Sequence, residues 1–373
     1  MQGEEGVSPV VGTLLMLGIF ISIGATVFFV ARPHFIEVQE DAAFDGVTDQ
    51  MKGAASEIKG LAVSGLDGAV KKPVMTLPGG EFLSERGHWY AVSVGVQDEN
   101  YGKVAGESFA PGAHHDFYVE EWTPDAVSGD TQFNVYNNAT FDIQYPTYLL
   151  QRFENGRWSD EKWDKPANIL GADKLVKEGG SFHTVTTTED LADTTYRLRI
   201  SNNNTGGSEG IIGEIYLYPQ DRLAYHYGGE SGLRSLYSEN GAVWTVEQGK
   251  TFSRQAGLIL PPAKAIGTGH FTMRTVDLNV TGAAGGHAKL ALLMNLVRNT
   301  DLALDQGASI VRIQIAGPDT ETWRNTFYGI GLFQATDEAK GAYHIHATEP
   351  DGHRKAFPFN FIHTEIDLRI RSQ

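Results

Sequence analysis

The chain has 373 residues, among them 43 glycines and no cysteine, and its 46 acidic against 30 basic residues give a net charge of −16. The absence of cysteine excludes disulfide bonds and thiolate metal sites. Because the sequence contains no Lys- or Arg-rich run, the attraction that drives binding to a phosphate backbone has no source, and nucleic acid is not an expected partner. The length allows two globular units outside a membrane.

Residues 7–31 form an uninterrupted apolar stretch, VSPVVGTLLMLGIFISIGATVFFVA, without Asp, Glu, Lys, Arg or His. As a helix, its 25 residues would reach about 37 Å, more than the roughly 30 Å hydrocarbon core of a bilayer. A secretory signal would have a basic start and a shorter apolar core. The sequence therefore predicts a single membrane-spanning helix followed by a large exported part.

The apolar stretch opens on a helix-start signal, Ser8 followed by Pro9. A serine side chain caps the free backbone N–H groups, and proline at the first helical position loses no hydrogen bond. The helix is therefore expected to begin at about Pro9. Gly6 and Val7 are left in accessible, extended chain.

Small residues recur along this predicted helix. Gly18, Ser22 and Thr26 are spaced by four, while Gly12 and Gly24 place small residues elsewhere around the axis. Such residues allow neighbouring helices to approach closely, which predicts an assembly role for them. Alternatively they are the ordinary small residues of any membrane helix.

The segment Glu5 to Thr13, EGVSPVVGT, resembles the N-terminus of archaeal type IV pilin-like proteins. In that family a charged and a small residue precede a cleavage site, and a Ser-Pro-hydrophobic-hydrophobic-Gly stretch opens the mature helix. The resemblance implies a leader peptide over residues 1–6, cut by a membrane prepilin peptidase between Gly6 and Val7. The helix over residues 7–31 would stay on the mature chain as membrane anchor and, later, pack against other pilin subunits.

Beyond Arg32 and Pro33, which predict a kink at the membrane surface, the pattern becomes amphipathic. Apolar residues recur at spacings of three and four, as on one face of a helix. This predicts an amphipathic helical stem over residues 32–64 with one face on a core. The alternative is a stalk that packs on nothing in its own chain. The apolar positions are Phe44, Val47, Met51, Ala54, Ala55, Ile58 and Leu61.

Residues 65–81 have the glycine and proline density of a linker. Period-two patterns beyond it predict a mostly β extracellular head, and thus an α+β fold, with an antiparallel sheet that exposes one face to water. One short helix is predicted around residues 289–297. The expected strands are residues 89–96, 132–136, 196–200, 213–218, 242–247, 271–280, 310–315 and 366–370.

Residues 131–219 contain short strand patterns separated by turn signals, including Trp158 after a turn at residues 154–156. The order and spacing of these motifs resemble bacterial and archaeal Ig-like domains. The resemblance implies an Ig-like β-sandwich inserted between two parts of the head, residues 82–130 and 220–373. The matching segments are FNVYNN at 133–138, YLL at 148–150, GRW at 156–158, GSF at 180–182 and YRLRI at 196–200.

Three catalytic motifs are absent: the sequence has no phosphate loop, no dinucleotide fingerprint and no His-Glu-x-x-His. We predict no enzyme activity, no cofactor and no metal site. The best metal candidate is His344 with His346, which a strand would aim to one side, with His353 and His363 near in sequence. Histidines on a β surface are more often solvated or hydrogen-bonded than ligating.

Three Asn-x-Thr sequons are candidate N-glycosylation sites, at Asn138, Asn203 and Asn279. Glycans at these positions would hydrate the surface of an exported chain.

Together these features predict a pilin-like protein of the cell membrane, single-pass with an extracellular C-terminal head, assembled into or at the tip of an archaeal pilus for adhesion. The alternative is a membrane-anchored extracellular binding protein that never polymerises, whose head recognises a surface or carbohydrate ligand.

Overall fold

The computed structural model describes residues 9–95, 115–120, 131–139, 142–154, 157–164, 174–187, 195–202, 210–230, 232–247, 253–256, 263–264, 271–301, 310–316, 334–337, 342–346 and 359–372. These residues contain one α-helix, one 3₁₀ turn at Lys177–Gly179 and 21 strands. The helix is α1 (Pro9–Ser64). The strands are β1 (Val70–Lys71), β2 (Val74–Gly95), β3 (Phe117–Glu120), β4 (Thr131–Asn137), β5 (Ile143–Gln144), β6 (Pro146–Glu154), β7 (Arg157–Asp164), β8 (Lys174–Leu175), β9 (Phe182–Thr187), β10 (Tyr196–Asn202), β11 (Gly210–Gly229), β12 (Gly232–Glu239), β13 (Ala242–Glu247), β14 (Ser253–Ala256), β15 (Ala263–Lys264), β16 (Phe271–Thr281), β17 (Ala284–Asp301), β18 (Ile310–Ala316), β19 (Gln334–Asp337), β20 (Ala342–His346) and β21 (Phe359–Ser372).

The C-terminal half of α1 packs on the head. All seven predicted core positions from Phe44 to Leu61 are buried, each with 3% or less of its surface exposed. They join strand residues such as Leu290 and Leu368 in one hydrophobic core. The stem therefore rests on its own chain, and the unpacked stalk considered as an alternative is wrong. Pro33 lies inside the continuous helix.

A large sheet built around β2 forms the head, in the order β14-β13-β12-β11-β2-β17-β21-β16-β15. The two longest strands, β2 and β11, pair antiparallel from Gly213 opposite Gly95 to His226 opposite Glu81. The predicted antiparallel pairing holds for most neighbours, but β16 and β21 run parallel. The predicted strand runs lie in β2, β4, β10, β11, β13, β16, β18 and β21, except that Val96 is outside the described residues.

The helix predicted around residues 289–297 is wrong, because these residues belong to β17. Leu290, Leu292, Met294 and Leu296 are fully buried on the side facing α1. The residues between them are also largely apolar, and this concealed the alternation that marks a strand. The predicted linker is also shorter than residues 65–81, since β1 starts at Val70 and β2 at Val74.

A second core lies between the three-stranded sheet β3-β4-β9 and strands β6, β10 and β11 of the large sheet. Val135 and Val185 from the small sheet meet Leu150 and Leu198 from the large one. Strand β11 extends beyond residue 219 and pairs with both β10 and β2. The region thus has two β layers that share strands with the rest of the head, while its Ig-like classification stays a prediction.

Candidate functional site: the exposed apolar helix

The N-terminal half of α1 exposes a long apolar surface. Sixteen large apolar side chains between residues 10 and 38 are exposed, including Phe20 at 68%, Phe29 at 69% and Val30 at 74%. By length and composition the helix can span a membrane, and no part of its most apolar window is buried. A patch of this size exceeds what soluble monomers expose to water, which marks it as the surface to be covered by lipid or protein.

The small residues predicted for assembly lie on this exposed helix. A Cβ built on Gly12 or Gly18 would meet no atom within 4 Å, so both positions are open to a neighbour. The Ser22 hydroxyl donates to the Gly18 carbonyl at 2.8 Å, and the Thr26 hydroxyl donates to the Ser22 carbonyl at 2.8 Å. Because their hydrogen bonds are made within the helix, these hydroxyls suit a medium without water.

The predicted processing site and helix cap lie at the chain's start. Gly6, Val7 and Ser8 are outside the described residues. The described part of α1 begins at Pro9, where the Ser-Pro signal predicts the first helical turn.

Glu40 marks where the helix meets the head, and only 8% of its surface is exposed. Its Oε1 accepts the backbone N–H of Glu230 at 2.7 Å. A Cβ built on Gly229 would lie 2.3 Å from the same oxygen, so a side chain there would displace the Glu40 carboxylate. At the next residue of the helix, Asp41 Oδ1 lies 2.5 Å from Arg234 Nη1. Sequence reasoning missed Glu40, since its partner lies 190 residues away along the chain.

A buried polar cluster connects β2 to the β12–β13 hairpin. Glu239 exposes no surface. Its carboxylate accepts the His88 backbone N–H at 3.1 Å and the Tyr90 hydroxyl at 2.9 Å. Burial, and secondarily the Glu239 charge, raises the pKa of Tyr90 well above its usual value, so the phenol keeps the proton that it donates. The cluster acts as a structural connection inside the head.

The same hairpin turns at Asn240 and Gly241, whose φ angles of 46° and 77° are both left-handed. This is the Asn-Gly signature of a two-residue hairpin turn. This sequence signature predicts the turn next to Glu239, but it does not predict that the Glu239 carboxylate is buried.

Among the histidines considered for a metal site, His363 is buried in β21, with Nδ1 3.2 Å from the Thr275 hydroxyl. Burial, and secondarily the Arg298 charge, lowers the pKa of His363 to about 4. His344 and His346 lie in β20. His353 is outside the described residues, and within the described ranges no three His, Asp or Glu side chains are grouped to hold a metal.

Two of the three sequon asparagines are described, and both are exposed. Asn279 lies on β16 with an exposed Thr281 two residues on, and its Nδ2 donates to Asp367 Oδ1 at 3.0 Å. Asn138 donates from Nδ2 to Asp116 Oδ2 at 2.8 Å. Asn203 is outside the described residues.

The exposed half of α1, and the contacts by which the head holds the helix, are therefore the candidate functional site. A scan against protein-family models found no matching family, and searches of curated proteins and of solved structures found no match.

Proposed function

We propose that this chain is a pilin-like surface protein, anchored in the membrane by the N-terminal half of α1 and assembled through that helix into or at the tip of a filament. The observation that carries the proposal is the exposed apolar surface between residues 10 and 38, on a helix whose other half packs one face on the head. Prepilin peptidase and other pilin subunits would be its partners.

The energetics favour removal of this surface from water. Burying one large aliphatic or aromatic side chain is worth roughly 1.5–3 kcal/mol. Sixteen such side chains are exposed here. A helix that carries them is stable in lipid or among other apolar helices. Moving the helix from the bilayer into a filament costs little free energy, because both surroundings are apolar.

Gly12 and Gly18, where a built Cβ meets no atom, favour packing of α1 against another helix as well as against lipid. Without side chains, the two backbones of a helix pair can approach closely at such positions. Ser22 and Thr26, whose hydroxyls are already bonded within the helix, add no unsatisfied polar group to that contact.

The first test is the mass of the native N-terminus. Processing predicts a chain that begins at Val7, and replacing Gly6 with Leu should block the cut because a bulky residue occupies the small-residue position. Gly12→Leu, the same change beyond the cut, should leave processing intact and disturb helix packing instead. A native chain that retains Met1 would contradict the proposal.

The second candidate function is a membrane-anchored binding protein that never polymerises, with the two-layered β head recognising a carbohydrate or surface ligand. The same apolar helix favours it, because anchoring needs only lipid around the helix. Electron microscopy of filaments sheared from cells distinguishes the two, since labelled copies of this chain along or at the end of a filament exclude a purely monomeric anchor.

A further inference from the structure

One of the three sequons lies within a described strand. Asn279 and Thr281 are both exposed on β16, and Val280 between them packs against the main hydrophobic core. Because side chains alternate between the two faces of a strand, the asparagine and the threonine project from the same, solvent-facing side. The amide and the hydroxyl that a sequon requires are therefore presented together at the surface.

The neighbours of this sequon across the sheet are polar. In the parallel register of β16 and β21, Asn279 pairs with Asp367 and Thr281 pairs with Arg369. Asn279 Nδ2 donates to Asp367 Oδ1 at 3.0 Å in an exposed contact, and Arg369 is exposed as well. A sugar added to Asn279 would lie over these polar side chains and would displace none of the buried core.

The edge of β16 that faces away from β21 is open beside Asn279. Among the described strands, β15 alone pairs with that edge, and it does so only through Phe271 and Thr272. Just beyond the sequon the chain turns at Gly282, whose φ angle is 92°. Asn279 thus lies near the end of β16, where no described strand is bonded on that side.

The amide of Asn138 lies in a different environment. Its Nδ2 donates to Asp116 Oδ2 at 2.8 Å, and its backbone N–H donates to the Asp116 carbonyl at 2.8 Å. Asp116 is 3% exposed, and its carboxylate accepts a hydrogen bond from Arg312, which is 4% exposed. The nitrogen that would carry a sugar at Asn138 therefore faces a buried ion pair, whereas that of Asn279 faces a partly exposed carboxylate.

From this contrast we infer that Asn279 carries an N-linked glycan and that Asn138 does not. The donor class is an oligosaccharide joined to a lipid phosphate. Asn279 Nδ2 forms a bond to the anomeric carbon of the first sugar, the bond between that carbon and the phosphate oxygen breaks, and the phosphate leaves with the electron pair while one amide proton is released. The amide keeps a second N–H, which is enough for its hydrogen bond to Asp367.

The inference rests on the exported position of the head in the proposed function, because such sequons are modified on secreted chains. It does not depend on filament assembly. The glycan covers the open edge of β16 with hydrated hydroxyl groups, which oppose pairing with a strand of another molecule.

The experiment is peptide mass spectrometry of the full chain purified from its native membrane. Trypsin cuts after Arg274 and Lys289, so the Asn279 sequon is released alone in peptide 275–289, while Asn138 and Asn203 fall in two other peptides. We expect peptide 275–289 to carry the added mass of a glycan and the Asn138 peptide to lack it. An unmodified peptide 275–289 overturns the inference, and a glycan on Asn138 overturns the distinction between the two sites.

Matched variants at Thr281 separate the chemistry of the sequon from the structure of the strand. Thr281→Ser keeps the hydroxyl and should keep the glycan. Thr281→Val keeps the branched shape that suits a strand but loses the hydroxyl, and it should lose the glycan, as should Asn279→Gln. Equal glycan occupancy in Thr281→Ser and Thr281→Val would contradict modification through the sequon.

This experiment and the test of the proposed function can fail separately. An unmodified peptide 275–289 in a chain that begins at Val7 overturns the glycan and leaves the pilin-like proposal standing. A glycan on Asn279 in a chain that retains Met1 supports the inference and contradicts that proposal.

Discussion

The carboxylate of Glu239 lies 2.8 Å from Nδ1 of His88, and neither side chain exposes any surface. The two residues are 151 positions apart. Their contact connects the central strand β2 to the hairpin of β12 and β13, on the far side of β11. A buried carboxylate of this kind is costly when its partners are lost, so the contact makes the sheet sensitive to single substitutions.

The first prediction concerns Glu239 itself. Glu239→Leu should lower the free energy of unfolding by at least about 2 kcal/mol, because it removes the carboxylate that the buried His88 and Tyr90 contact. The measurement is urea unfolding of the full chain in detergent. Glu81→Leu, the same change at an exposed position of β2, should stay within about 0.5 kcal/mol. Equal effects of the two variants would contradict a specific role for Glu239.

The second prediction compares two glycines. A Cβ at Gly87 would lie 2.5 Å from Glu239 Oε2 and 2.9 Å from the Gln220 carbonyl, whereas one at Gly53 would meet nothing within 4 Å. Gly87→Ala should therefore destabilise the head, while Gly53→Ala, inside an exposed helix turn, should stabilise it by up to about 1 kcal/mol. Thermal unfolding followed by circular dichroism measures both changes. A stabilising Gly87→Ala would show that Glu239 can move aside.

The third prediction is a pH dependence from His363. Burial lowers the pKa of its ring from 6.5 to about 4, so the unfolded chain takes up the proton first as the pH falls. The contribution of the neutral His363 ring to the free energy of unfolding is therefore fully present above pH 6.5 and is lost as the pH falls towards 4. The slope is at most about 1.4 kcal/mol per pH unit.

The control for this slope is the exposed His34, whose side chain is 79% accessible. Between pH 4 and 7, the free energy of unfolding should depend less steeply on pH in His363→Gln than in wild type. In His34→Gln the dependence should be unchanged. Thr275, Asp277 and Arg298 surround His363 and remain in both variants. Parallel curves for wild type and His363→Gln would rule out a contribution from this ring.

The fourth prediction concerns the anchor. Phe20→Arg places a charge in the middle of the apolar segment and should cost about 2.5–3.5 kcal/mol of insertion free energy. Val38→Arg, also on an exposed position of α1, lies beyond the segment and should insert normally. Membrane fractionation with alkaline extraction measures how much of each variant stays in the membrane. Retention of Phe20→Arg equal to that of wild type would contradict a membrane-spanning role.

The sequence predicted α1 and its two halves well because both depend on local pattern. The apolar run and the three-four spacing from Phe44 to Leu61 need only the geometry of a helix, and the structure buries the residues that this geometry selects. The alternation of Ile366, Leu368 and Ile370 likewise placed their strand correctly.

The structure departed from the sequence prediction where the partner is distant. Residues 289–297 are rich in leucine and favour a helix locally, yet they form a strand because β2 and β21 pair with both of its edges. No local pattern indicates which strands will be neighbours in the sheet. For the same reason the parallel pairing of β16 with β21 could not be predicted.

Local sequence patterns were enough to identify an apolar helix that continues into an amphipathic one, and a remainder that is mostly strand. The place where the head holds that helix, through Glu40 and the backbone of Glu230, and the identity of the buried carboxylates became visible only in the folded chain. The reason is that a repeating pattern records the burial of a face, whereas a single polar contact between residues far apart in the chain leaves no pattern in either segment.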